Sequence, residues 1–189
     1  LMAGTFLTGY GEGDVYSEDE VTEWLADTGW RIVAIEVLAG TGNEGLVDGP
    51  VRNGWLAQPS GLAASADGNT LWIADSEVSA LRRLDGDQLR TVVGAGLFDF
   101  GHRDGPATQA LLQHPLGVTE LPDGSVAVLD TYNGAVRRFD SATGEVSTLA
   151  GGLREPSGAV VDGDQLVVVE SAGHGLVRIP LGTARTNMA

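Results

Sequence analysis

Residues 112–140 read LQHPLGVTELPDGSVAVLDTYNGAVRRFD. A Pro-x-Gly pair (Pro115, Gly117) opens an apolar run. An Asp-Gly turn (Asp123, Gly124) follows, then a second apolar run, Val126 to Asp130, that ends in an acid. Five mostly small or polar residues lead to a third run carrying arginines, Val136 to Phe139. The same order recurs at Pro59, Gly61, Asp67-Gly68, Leu71 to Asp75 and Leu81 to Leu84. A worn copy runs through Pro156, Gly158, Asp162-Gly163, Leu166 to Glu170 and Val177 to Ile179.

Pro115 and Pro156 stand 41 positions apart, whereas Pro59 and Pro115 stand 56 apart. The unit is therefore about 41 residues, with loops that grow by about 15 at one junction, a period that points to a propeller or solenoid. Each unit holds short apolar runs joined by turn residues and no helix of its own, which favours four-stranded propeller blades. Runs such as Leu71 to Ala74 and Val126 to Leu129 barely alternate. Strands covered on both faces read this way, and stacked blades cover both faces.

Within one unit, Pro59, Pro115 and Pro156 precede the innermost strand, where a missing N–H is harmless. Gly61, Gly117 and Gly158 allow close backbone approach there. Asp75, Asp130 and Glu170 end the second strand. The arginines at 82–83, 137–138 and 178 follow seven or eight positions later, so an Asp-to-Arg tie is expected across every blade.

The 189 residues are 42% apolar and 20% charged, a globular composition with room for one sizeable core. There are 26 acids against 11 bases, a formal charge of −15. That sign repels phosphate backbones and anionic lipid, so neither nucleic acid nor a membrane surface is an expected partner. The chain has no cysteine, which excludes disulfides and thiolate sites within it and leaves the compartment open. No run approaches a membrane span of about 20 apolar residues.

Met2 to Thr5 read as the tail of a strand, and residues 6–30 as an insertion. Inside it, Ser17 and Glu20 form a capping box ahead of Val21, Trp24 and Leu25, which predicts one short helix over 18–28. Arg31 to Leu38 read as a strand. Two long loops follow, 39–58 and 94–114. They share Asp48-Gly49-Pro50 with Asp104-Gly105-Pro106 and Leu56-x-x-Pro59 with Leu112-x-x-Pro115. The expected units are 31–58, 59–111, 112–153 and 154–183, and the chain reads as a piece of a longer protein.

At these residues the sequence resembles the NHL repeat, best from Gln113 to Arg137 and well from Ala57 to Glu77. The long loops, with Gly40-Thr41-Gly42-Asn43-Glu44 and Phe98-x-Phe100-Gly101-His102, resemble the subfamily that fuses a thioredoxin-like domain to an NHL propeller. The resemblance covers about 31–180 and Met2 to Thr5. It implies an all-β fold, about three to four four-stranded blades of a six-bladed ring. Such a partial ring would be completed by further chain or by self-association.

The sequence has no Gly-x-Ser-x-Gly elbow, HExxH, P-loop or EF-hand spacing. Gly40-x-Gly42-x-x-Gly45 matches a dinucleotide fingerprint, but Asp48-Gly49-Pro50 leaves no room for the helix it requires. The leading expectation is a non-catalytic module that binds or scaffolds a protein or ligand through Trp55, Phe98, Phe100, His102 and Arg103. Aromatics and arginine are the favoured anchors of such surfaces. No cofactor is expected. The alternative is a calcium-dependent lactonase or hydrolase of propeller type, for which the candidate ligands are Glu44, Asp48, Asp104, His174 and again His102.

Overall fold

A computed structural model describes residues 37–182. The helix expected over 18–28, the strand tail at Met2 to Thr5 and most of the strand at 31–38 lie outside the described residues.

Among the described residues, thirteen strands make three antiparallel sheets. The first contains β1 (Gly49–Pro50), β2 (Pro59–Ala64), β3 (Thr70–Asp75), β4 (Ala80–Asp85) and β5 (Gln88–Val93), in the order β1-β5-β4-β3-β2. The second contains β6 (Gly105–Pro106), β7 (Gly117–Glu120), β8 (Val126–Asp130), β9 (Ala135–Asp140) and β10 (Glu145–Ala150), in the order β6-β10-β9-β8-β7. The third is β11 (Pro156–Asp162), β12 (Gln165–Glu170) and β13 (Gly175–Pro180) in sequence order.

The four-stranded expectation needs correcting: the first two sheets have five strands, and the third has three among the described residues. The Asp-Gly-Pro segments, read as loop, pair with the outer strands: Gly49 lies opposite Leu89, and Gly105 opposite Val146. Each long loop thus adds a fifth strand to the sheet that follows it in sequence. The repeated turns behave as their chemistry dictates. Gly68, Gly124 and Gly163 sit at φ of 73°, 79° and 63°, a region open to glycine at little cost. The Asp67 carboxylate caps its turn by accepting from the Ser65 hydroxyl and the Asn69 amide, which lower its pKa to about 2.

The sheets stack face to face. Trp72, Ala74, Leu81 and Val93 of the first meet Val118, Val126, Val128 and Phe139 of the second in one buried cluster. Trp72 and Phe139 meet edge to face, with ring centres 6.0 Å apart. Ala127, Leu129 and Val136 on the other side of the second sheet pack with Leu166, Val168 and Ile179 of the third. β8 is therefore buried at every residue, which is why its sequence does not alternate.

Innermost strands touch backbone to backbone. A Cβ on Gly61 would lie 2.7 Å from the Leu116 carbonyl oxygen, and one on Gly117 would lie 2.5 Å from that of Ser157. Hydroxyls bridge the same junctions. Ser76 Oγ donates to the Pro115 carbonyl, and Thr131 Oγ1 donates to that of Pro156, both at 2.7 Å.

Candidate binding face

The long loops are held by the acid and the first arginine of each repeat. Arg82 and Arg137 are completely buried. Arg82 Nη1 donates to Asp75 Oδ2 at 2.8 Å and to the Trp55 carbonyl at 3.1 Å. Its Nη2 donates to Asp48 Oδ1 at 3.0 Å and to the Val47 carbonyl at 3.1 Å. In the second sheet Arg137 Nη1 reaches Asp130 Oδ2 at 2.8 Å and the Leu111 carbonyl at 3.1 Å, while Nη2 reaches Asp104. One planar guanidinium, always charged, thus ties the blade acid to the loop acid.

Each carboxylate has a second duty. Asp75 and Asp130 accept from the Ala57 and Gln113 amides, both at 2.7 Å, which fixes the loop's return to the inner strand. Asp48 and Asp104 accept from the Thr91 and Thr148 amides on the outer strands at 2.9 and 3.0 Å. Burial pushes the Asp75 carboxyl up to about 6 against the pull of the Ala57 amide and Arg82, and burial likewise raises Asp130. At Asp104 slight burial acts upward, but its bonds to Arg137 and Thr148 hold the carboxyl below its ordinary value.

The tie expected in every blade is present in two. In the third sheet Val177 stands in the register position of Arg82 and Arg137, opposite Val168. Arg178 instead bonds Asp162 and Gln165 at an exposed position. A single short junction, 151–155, leads into this sheet in place of the long loop that carries Asp48 or Asp104.

On this frame the expected binding residues separate into two groups. Phe98 is 89% exposed and Phe100 is 52% exposed at the tip of the second loop. Trp55 is 37% exposed, its ring against Gly45, where a Cβ would come within 3.1 Å of it. His102 and Arg103 serve the loop itself: His102 Nε2 lies 3.3 Å from Thr148 Oγ1, and Arg103 Nε donates to the Gln109 carbonyl at 2.6 Å. The expected metal ligands are not brought together. Among the described residues no group of three or more His, Asp or Glu could hold an ion. Asp48 and Asp104 belong to different sheets and are engaged by arginine, Glu44 is on the first loop, and His174 occupies a left-handed turn before β13 at φ 53°.

Tyr132 belongs to this face and was not among the expected residues. It is 60% exposed and stacks on His114, ring centres 4.4 Å apart and 15° from parallel. Its neighbour Asn133 donates from Nδ2 to the Gly101 carbonyl at 2.7 Å and to Asp130 Oδ2 at 2.8 Å, joining this turn to the second loop. Beside Tyr132, a groove of about 560 Å³ runs between the second and third sheets, lined by Gln113, Thr131, Leu153, Arg154 and Glu155 among others.

No protein-family model matches the chain. It is 33% identical over 165 aligned positions to Protein SUPPRESSOR OF QUENCHING 1, chloroplastic, of Arabidopsis thaliana, covering 75% of this chain and 16% of that protein. NHL repeat-containing protein 2 is 40% identical over 125 positions in Bos taurus (60% of this chain, 17% of the relative) and 33% identical over 174 in Homo sapiens (77% and 24%). The chain thus spans less than a quarter of the length of these curated relatives. Among solved structures, an auxiliary nutrient binding protein from Bacteroides ovatus aligns with a TM-score of 0.56 at 16% identity, over 62% of this chain and 36% of that one. A nidogen/laminin complex aligns with a TM-score of 0.53 at 21% identity, over 67% and 45%. These two show a shared fold.

Proposed function

We propose that this chain, which belongs to the NHL-repeat β-propeller family, is a non-catalytic binding module that engages a protein partner through the tip of its second long loop. The carrying observation is the exposure of Phe98 and Phe100 on a loop that is anchored from beneath by the buried Arg137. Exposed aromatics supply large contact area at little conformational cost when a partner covers them. A loop already held in place loses little conformational freedom on binding. Tyr132 extends the apolar surface, and Asn133 couples its turn to the loop backbone at Gly101.

Selection of peptides from a displayed random library against the chain tests this reading. Binders measured by calorimetry are expected to weaken by about tenfold or more on Phe98→Ser/Phe100→Ser, the loss typical of a hot spot. Both side chains face solvent, so the thermal transition should be retained. Binders that hold the variant as tightly as the wild type would show that the surface lies elsewhere.

A further inference from the structure

The two long loops share a frame and differ at the tip. The Gly45 and Gly101 amides donate to the Leu56 and Leu112 carbonyls at 3.3 and 2.9 Å, which puts the loops in one register. At the tip the first carries Gly42-Asn43-Glu44 and the second Phe98-Asp99-Phe100. In the second loop an exposed acid therefore stands between two exposed aromatics. Beside this tip lies Tyr132, whose turn Asn133 joins to the loop at Gly101. His114 covers one face of the Tyr132 ring, and Glu77 Oε2 lies 3.9 Å from His114 Nδ1. With that face covered, Tyr132 presents the other to the groove that Glu155 also lines.

Glu155 is exposed, and its backbone is fixed: the carbonyl accepts from the Ser171 amide at 3.1 Å, and Pro156 follows it. The two arginines nearest these groups are already answered. Arg103 Nε donates to the Gln109 carbonyl. Arg154 is faced by Glu170, its Nε and Glu170 Oε2 lying within 3.3 and 3.0 Å of the point that a Gly173 Cβ would occupy. Glu77, Asp99 and Glu155 thus set negative charge among the aromatics of this face.

We propose that the partner segment bound at this face carries arginine, and that one guanidinium lies flat on the open face of Tyr132 while Glu155 accepts its N–H groups. The proposal rests on the binding reading above and names the chemistry of its partner. A guanidinium suits the pair because it is planar, stacks on an aromatic ring and offers a carboxylate a fork of donors. An ammonium is a compact, strongly hydrated charge and fits less well. Phe98 and Phe100 take the apolar side chains that flank the arginine, and Asp99 faces a second cation. The charge of −15 draws a basic segment in from a distance, and added salt weakens the complex.

Peptides selected from the displayed library against the whole chain test this. Their sequences should be rich in arginine, and exchange of that arginine for citrulline, its neutral isostere, should weaken binding by about tenfold. Tyr132→Leu should weaken the arginine peptide by about fivefold, and Tyr132→Phe should restore it. Glu77→Gln/Glu155→Gln should also cost about fivefold. Asp87→Asn/Glu145→Gln removes two charges as well, but from the turns between β4 and β5 and between β9 and β10, at the other end of the strands. It should cost less than about twofold. Binders that need Phe98 and Phe100 yet hold the citrulline peptide equally well would overturn this inference and leave the binding module standing. Equal losses from the two charge-removing variants would overturn it too, since overall charge alone would then be at work. Binders that ignore Phe98, Phe100 and the arginine would overturn both readings.

Discussion

The second and third sheets are built from the same repeat, yet they differ at one buried position. In the second, Arg137 lies between Asp130 and Asp104, and the loop that brings Asp104 rises to Phe98 and Phe100. In the third, Val177 fills that position, Glu170 replaces the aspartate, and a short junction replaces the loop. Glu170 still accepts the Arg154 amide at 2.8 Å, so the tie to the junction backbone survives without the charge pair. Burying a guanidinium is costly unless its charge and its N–H groups are all answered. The long loop answers the charge and the two terminal nitrogens with one carboxylate and a backbone carbonyl, and only Arg137 Nε is left without a partner. Loop, loop acid and buried arginine therefore stand or fall as one unit, and a repeat that lacks the loop does better with valine.

The sharpest way to break this comparison is to treat the two sheets alike. Arg137→Met should destabilise the fold by about 3–5 kcal/mol, because Asp130 stays buried without its partner. Val177→Ala, the equivalent site in the third sheet, should cost about 1 kcal/mol. Denaturant titration of both decides the matter: equal losses would mean that the buried pair is not what holds the second sheet to its loop. Glycines give the next contrast. Gly117→Ala forces a Cβ against the Ser157 carbonyl at 2.5 Å, and a backbone displacement of about 2–3 kcal/mol is expected. Gly158→Ala meets almost nothing, so the variant should melt within a few degrees of the wild type, a shift of about 0.5 kcal/mol or less.

Asp104→Asn should cost only about 1 kcal/mol, since its side chain is 48% exposed and solvent screens the pair. Its larger consequence is local, with the loop loosened and β8 left intact. Proton binding gives a further contrast. Asp75 is raised from 3.8 to about 6, so between those values the folded chain holds a proton that the unfolded chain has released. Its contribution to stability therefore rises as pH falls through that window. Asp104 is shifted the other way, and its contribution is lost as pH drops below the ordinary carboxylate value through its own. Carboxyl NMR titration should show Asp75 changing near pH 6 and Asp104 well below it; Asp75 titrating below 4 would mean that Arg82 outweighs burial.

Most of the strand framework could be read from residues close together in the chain. Asp67-Gly68 and Asp123-Gly124 mark turns through local backbone geometry, and Val126 to Asp130 reads as a covered strand because both its faces are apolar. The fifth strands escaped that reading. Gly49–Pro50 and Gly105–Pro106 are two residues each, and they pair with partners about 40 positions away, a distance over which no periodicity carries a signal. The same limit hid the role of Asp48 and Asp104. As isolated acids on loops they resemble metal ligands, and only the fold brings Arg82 and Arg137 to them. The adjacent arginines were indistinguishable in sequence although one of each pair is buried and the other faces outward; the strand's alternation assigns them once register is known. At the face itself, Phe98 and Phe100 were legible as aromatics in a polar loop. Tyr132 was masked by its place inside the repeat.

Amide hydrogen exchange across 94–114 tests the central claim most directly. The amides of Gly101, Arg103 and Leu111 donate to the carbonyls of Leu112, Leu111 and Arg103 within the loop. If the loop is part of the sheet that follows it, these amides exchange nearly as slowly as those of β9, and Asp104→Asn releases all three together while β8 stays protected. Exchange of all three at the rate of the exposed Phe98 tip in the wild-type chain would contradict the account.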